Sequence, residues 1–282
     1  MLTEQNVLNL LPYLTRLNES IQRVDRRVAK YVKDPNEKQI HDLRTSIRRL
    51  NAAFSALSKK NRSASPTLSQ YVLTCKTLFK VNSEIRDMDI IQEKLQSYLH
   101  DTEREIIEQL STTRQARLEH AKEIALSLKN TDTTKLIDRI NVTEKDLQRK
   151  FSKILSQYVS SIETAFPVVI TNSSKLEELH GLRKDCKKLR YMLELPPEGN
   201  NDLLQMRKTL QRIQDILGSI HDSDFTIAYL ESLGQSSKEI QDIKNTESER
   251  RRLKYEEFLR FCRRRLRIAP DSFLIRIKTL IV

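Results

Sequence analysis

The chain has 282 residues, with 50 Lys and Arg against 38 Asp and Glu, a formal net charge of +12, and 38% hydrophobic residues. Four glycines, seven prolines and no tryptophan are too few punctuating residues for many short strands, so the composition excludes a β-rich fold and favours long helices. No apolar run reaches membrane-spanning length and no basic-then-apolar leader opens the chain. The three scattered cysteines (Cys75, Cys186, Cys262) form neither a disulfide framework nor a CxxC metal site, so a cytoplasmic protein with reduced thiols and no membrane partner is expected.

Periodicity and cap residues divide the chain into about eight helices: 3–33, 36–60, 66–100, 102–130, 134–166, 174–195, 200–233 and 236–267. In the first, Leu14, Leu17, Ile21 and Val28 form an apolar stripe, opposite Arg16, Arg23, Arg27 and Lys30, which read as facing solvent. Asp34, Pro35 and Glu37 read as the N-cap, first helical proline and capping-box glutamate of the second helix. There Ile40, Leu43, Ile47, Leu50, Phe54 and Leu57 recur at helical spacing. Ser65-Pro66 repeats the cap-plus-proline start, and Pro167 and Pro196-Pro197 read as stops. Ser174 with Glu177, and Ser236 with Glu239, read as capping boxes. Residues 270–282 stay open between a short helix and a packed tail. Four helices per half predict an all-α fold of two four-helix bundles related by a pseudo-two-fold axis.

The second helix carries His41-x-Leu-Arg44-x-x-x-Arg48-Arg49-Leu50, and the sixth carries His180-x-Leu-Arg183-x-x-x-Lys187-Lys188-Leu189, an offset of 139 (180 minus 41). Ile85-Arg86-Asp87-Met88-Asp89 recurs as Ile220-His221-Asp222-Ser223-Asp224, an offset of 135 (220 minus 85). Two motifs repeating at nearly one spacing indicate a duplicated helical unit. On a helix, His41, Arg44 and Arg48 share one stripe beside the apolar seam, and His180, Arg183, Lys187 and Arg190 repeat it with Tyr191 close by. Like charges so placed need carboxylates or a bound anion. Arginine's fork and lysine's point charge both suit phosphate.

H-x-L-R-x-x-x-R-R-L followed by R-D-x-D, then H-x-L-R-K-x-x-K-K-L-R-Y followed by L-x-x-I-Q-D-x-L-G-x-x-x-D, resembles the CHAD (conserved histidine α-helical domain) family over roughly residues 5–267. The resemblance implies two pseudo-symmetric four-helix bundles around a basic central cavity or pore that binds long-chain inorganic polyphosphate without catalysis. It makes residues 1–267 one domain, with halves 1–130 and 134–267 and a tail at 268–282. Residue by residue it carries polyphosphate binding to His41, Arg44, Arg48, Arg49, His180, Arg183, Lys184, Lys187, Lys188, Arg190 and Tyr191. It also implies a location at polyphosphate granules. Two departures stand out: Ser83 replaces the glycine present at Gly218, and His221 holds the slot of Arg86, so the half-sites need not bind equally.

Arg260 and Arg264, on a face opposite Leu259, Cys262 and Leu266, read equally as ligand contacts or a solvated basic face. Asp87/Asp89 and Asp222/Asp224 diverge by about 200° on a helix and read as carboxylates that orient arginines and histidines, not as a metal site. No phosphate-binding loop occurs, and Glu103-Arg104-Glu105 lacks the lysine of an E-x-E-x-K hydrolase signature, with Ile107 in its place. No cofactor, metal or catalytic residue is therefore assigned. Nucleic acid is the alternative partner, disfavoured because aromatics are only 6% and no stacking platform is interleaved with the cations. Oligomeric state is left open.

Overall fold

The structure, a computed structural model, describes residues 13–98, 104–196, 201–234 and 237–265. Every regular element among them is a helix: α1 (Tyr13–Lys33), α2 (Glu37–Ala56), α3 (Lys59–Ala64), α4 (Pro66–Tyr98), α5 (Arg104–Lys129), α6 (Glu144–Thr171), α7 (Leu176–Met192), α8 (Asn201–Ser232) and α9 (Lys238–Arg265). The expected helix starts at 3–12, 102–103 and 200, the ends at 99–100 and 266–267, the Ser236 cap and the 268–282 tail lie outside the described residues. No described helix is long and apolar enough to cross a membrane.

Several boundaries differ from expectation for local reasons. Asn36, not Asp34, caps α2: its Oδ1 accepts from the Gln39 N–H at 3.0 Å, and Pro35 precedes the helix. The expected 36–60 helix breaks at Leu57, which is extended (φ −68°, ψ 141°), and Ser58 then caps α3 by accepting from Asn61 N–H. Leu57 keeps its place in the apolar stripe, fully buried, so periodicity could not reveal the break. Residues 130–143 form turns, and Thr143 caps α6 by accepting from Asp146 N–H. α6 runs through Pro167 to Thr171, because the proline sits on an exposed face where the carbonyl it leaves unbonded can be hydrated. α7 begins after Lys175 without a side-chain cap, not at a Ser174 box, and ends at Met192, ahead of Pro196. Ser65 caps α4 as expected, accepting from Leu68 N–H at 3.3 Å.

The chain forms two compact units. One comprises the described parts of Pro12–Val142 with Ala228–Lys244, the other the described parts of Thr143–Ile227 and Asn245–Val282. The segment 228–244 thus belongs with the first unit, across the boundary of the two expected halves.

In the first unit α1 and α2 pack as an antiparallel hairpin, fixed at one end by Tyr13 Oη donating to Ala53 O at 2.5 Å. Leu17, Ile21, Val24, Val28 and Tyr31 of α1, which packs on α2 and α5, are buried, as are the α2 stripe and Leu68, Val72, Leu78 and Ile85 of α4; Tyr31 Oη donates to Asn82 Oδ1 of α4 at 2.9 Å. A further cluster joins Ile91 and Leu95 of α4, Ile106 and Leu110 of α5, and Leu230, Ile240 and Ile243 from the returning segment.

The second unit buries Leu155, Val159, Ile162, Phe166 and Val169 of α6. These match the α1 stripe at a constant offset of 138 (155 minus 17; 169 minus 31). The Phe166 and Phe258 rings meet at 5.9 Å. In α9 it is Phe258, with Cys262, that is buried, while the expected Leu259 is only half-buried. All three cysteines are free and buried, and burial pushes their thiols up, Cys262 to about 12.

Candidate anion-binding site

In the first unit the motif of α2 faces α4. The guanidinium carbons of Arg44 and Arg48 lie 5.6 and 5.0 Å from the Phe79 ring centroid, so one aromatic ring serves two cations. Arg44 Nη2 also donates to Ser83 Oγ at 3.4 Å. Arg86 bonds Glu37 at 3.1 Å and lies 3.9 Å from Asp89, whose side chain is 3% exposed. Arg114 Nε of α5 donates to that buried carboxylate at 2.5 Å. His41 sits at the exposed rim. Desolvation of its ring lowers its pKa; Asp42 opposes the shift and Arg44, Arg48 and Arg86 reinforce it.

The second unit repeats this plan with one change of chemistry. Asp224 of α8 accepts from Arg251 Nε of α9, as Asp89 accepts from Arg114; the offsets are 135 for the aspartates and 137 for the arginines (251 minus 114). Arg251 is anchored further by Nη2 donating to Ser173 O at 2.6 Å. His180 Nε2 lies 3.3 Å from Asp224 Oδ2 and 3.1 Å from His221 Nδ1, with the two rings edge-to-face at 4.5 Å. A carboxylate beside His180 Nε2 favours the hydrogen on that atom, so His221 Nδ1 accepts and its Nε2–H points onward as a donor. Burial, Arg183 and His180 together push the His221 imidazole down to about 3, with Asp224 opposing and Lys187 adding to the shift. His221 is therefore neutral near pH 7. A Cβ on Gly218 would lie 4.0 Å from Arg183 Nε, so Arg183 runs over Gly218 as Arg44 runs over Ser83.

The structure thus gathers His41, Arg44 and Arg48 in one unit, and His180, Arg183 and Lys187 in the other. Arg49 turns away from Arg48, as neighbours 100° apart on a helix must, and lines a cleft against α1. Lys184 and Lys188 are exposed; Lys188 bonds Asp185 at 3.0 Å and lies over the Tyr158 ring at 5.5 Å. Arg190 donates to Gln214 at 3.1 Å and Glu194 at 2.6 Å, above the ring of buried Tyr191. Arg260 is exposed and 3.8 Å from Glu256, while the Arg264 side chain lies outside the described set. Arg252 of the same helix is bracketed by Glu249 and Glu256, and Arg250 by Glu247, so much of this basic run is neutralised internally.

The aspartates hold arginines and a histidine, and among the described residues no group of three or more His, Cys, Asp and Glu could hold a metal. Arg114 was missed in the sequence because it sits in no motif. Aligning the halves at Asp89 and Asp224 brings it opposite Glu249 (114 plus 135), two positions short of Arg251, so the repeat gave no direct signal for it.

The family model for the CHAD domain matches residues 15–231. Among solved structures the chain is similar to one described as the crystal structure of the CHAD domain from the plant Ricinus communis, at 15% identity and a TM-score of 0.66 over 92% of each chain. That likeness speaks to the all-helical fold. No curated protein matches.

Proposed function

We propose, because the chain belongs to the CHAD domain family, that it binds long-chain inorganic polyphosphate through the motif cations of each unit, as a binding protein without catalysis. The observation that carries the reading is the pairing of Arg44 and Arg48 at one aromatic ring, with Arg86 and His41 alongside, and its counterpart in Arg183 and Lys187 beside His221. The nearest buried carboxylates, Asp89 and Asp224, are engaged by Arg114 and Arg251, which leaves each motif face positive. A polymer with one negative charge per phosphate offers the matching array, and arginine forks bind its oxygens in pairs. The neutral His221 adds a hydrogen-bond donor. On this reading the protein accompanies polyphosphate granules in the cytoplasm, a location that fractionation checks.

Calorimetric titration with long-chain polyphosphate and with single-stranded RNA of matched charge tests the reading. Polyphosphate should bind much more tightly at physiological salt. The Arg44→Glu/Arg183→Glu variant should lose on the order of 100-fold or more, since each charged hydrogen bond contributes about 1.5–3 kcal/mol, and its helicity should be unchanged. Equal binding of RNA, or unchanged affinity in the variant, would overturn it.

A further inference from the structure

We propose that the cleft between α1 and α2 is a second, separate anion site, built for a short condensed phosphate of the size of a diphosphate. The cleft has a volume of about 280 Å³ and is lined by Arg23, Arg26, Arg27, Lys30, Arg49 and Asp42, together with two hydroxyl residues. Five cations against one carboxylate give it a local charge of +4 (5 minus 1). Asp42 bonds Arg27 at 2.8 Å, which fixes that side chain as a wall of the cleft.

Size selects the ligand. At about 30 Å³ per water the cleft holds on the order of nine waters, comparable to the nine non-hydrogen atoms of pyrophosphate. An extended polymer is served better by an open face, whereas a compact group carrying three or four charges is served by a cleft.

The charge here is neither a by-product of the repeat nor an extension of the motif face. Arg23, Arg26, Arg27 and Lys30 fall at i, i+3, i+4 and i+7, where like charges destabilise a helix. The offset of 138 that aligns the buried stripes of α1 and α6 puts Ser161, Thr164, Ala165 and Val168 in their places, and none of these is charged. Asp42 corresponds to Gly181, and Arg49 to Lys188, which bonds Asp185. The second unit therefore kept the hairpin without the charge. The residues also differ from those proposed to bind the polymer, apart from Arg49, so the two proposals can fail independently.

The test is calorimetry on the full chain at physiological salt with pyrophosphate, orthophosphate, ADP and long-chain polyphosphate. Pyrophosphate should bind one site at least about tenfold more tightly than orthophosphate, because it adds a second phosphate for the arginine forks. Arg23→Gln/Arg26→Gln should weaken it at least tenfold with an unchanged circular dichroism spectrum, and Arg44→Glu/Arg183→Glu should leave it intact. Asp42→Asn removes the competing carboxylate and should tighten binding, a gain that misfolding could not imitate. Comparable binding of ADP would assign the diphosphate to a nucleotide, and its exclusion would assign it to the free inorganic ion; both support the site. Lack of saturable pyrophosphate binding, indifference to the Arg23/Arg26 change, or loss in the Arg44/Arg183 variant would overturn it.

Discussion

His221 is where the two half-sites diverge most, and its environment dictates a pH dependence. Its imidazole titrates at about 3 in the fold and at about 6.5 in an unfolded chain. The unfolded state therefore binds the extra proton first, so the contribution of this residue to stability is intact above pH 6.5 and is lost as pH falls toward 3. The charged groups around it are Arg183, Lys187, His180 and Asp224, of which only Asp224 favours the imidazolium. His221→Gln should flatten the decline in urea-measured stability between pH 6.5 and 4, and an unaltered slope would exclude this histidine as its source. The Asp89–Arg114 pair makes a second prediction at this scale. Asp89→Ala leaves a guanidinium in a largely enclosed position and should cost about 3 kcal/mol in denaturant unfolding. The roles of these aspartates as arginine holders were legible in the sequence, since carboxylates two apart on a helix cannot share one ion. Their partner in the first unit was not, because an arginine 25 residues away signals nothing until the fold brings it near.

At the scale of elements, the sequence announced most helices through period and caps, and it failed where two rules compete. The α2 stripe from Ile40 to Leu57 is buried throughout, yet the backbone breaks at Leu57 because a buried leucine suits a helix and a tight corner equally. Pro167 reads as a stop, but on an exposed face one turn from the helix end its cost stays below the full interior penalty, and the buried stripe from Leu155 to Val169 carries the helix past it. Pro167→Ala should restore one hydrogen bond and raise stability by about 1–3 kcal/mol, visible as a higher denaturant midpoint; a lower midpoint would mean that the ring itself packs. Of the α1 cations read from sequence as facing solvent, Arg23 and Lys30 are exposed as expected, and with the half-buried Arg27 they also border a cleft. Helical periodicity says which face is apolar, but not what the next helix brings to the rim.

At the scale of the molecule, neither compact unit is a single stretch of chain. Leu230, Ile240 and Ile243 complete the cluster around Ile91, Leu95, Ile106 and Leu110. Removing three such side chains forgoes about 1.5–3 kcal/mol each, together comparable to the whole stability of an ordinary domain. A fragment of residues 12–142 should therefore fail to unfold cooperatively, while the same fragment joined to 228–244 should recover a melting transition; equal behaviour of the two would refute the shared core. The repeat offsets made the duplication legible, but they pointed to a clean division into halves. The assignment of residues 228–244 to the first unit left no trace in the repeat, because the recurring motifs that set the offsets end at Asp224.

This arrangement has a consequence in time. A ribosome releases the chain from its N-terminus, and the first unit has nearly all of its helices outside the exit tunnel long before residues 228–244 are made. Its last cluster must wait, with Ile91, Leu95, Ile106 and Leu110 uncovered, until residues 228–244 have emerged in their turn. The interval between those two moments is when a nascent chain of this protein most needs a chaperone.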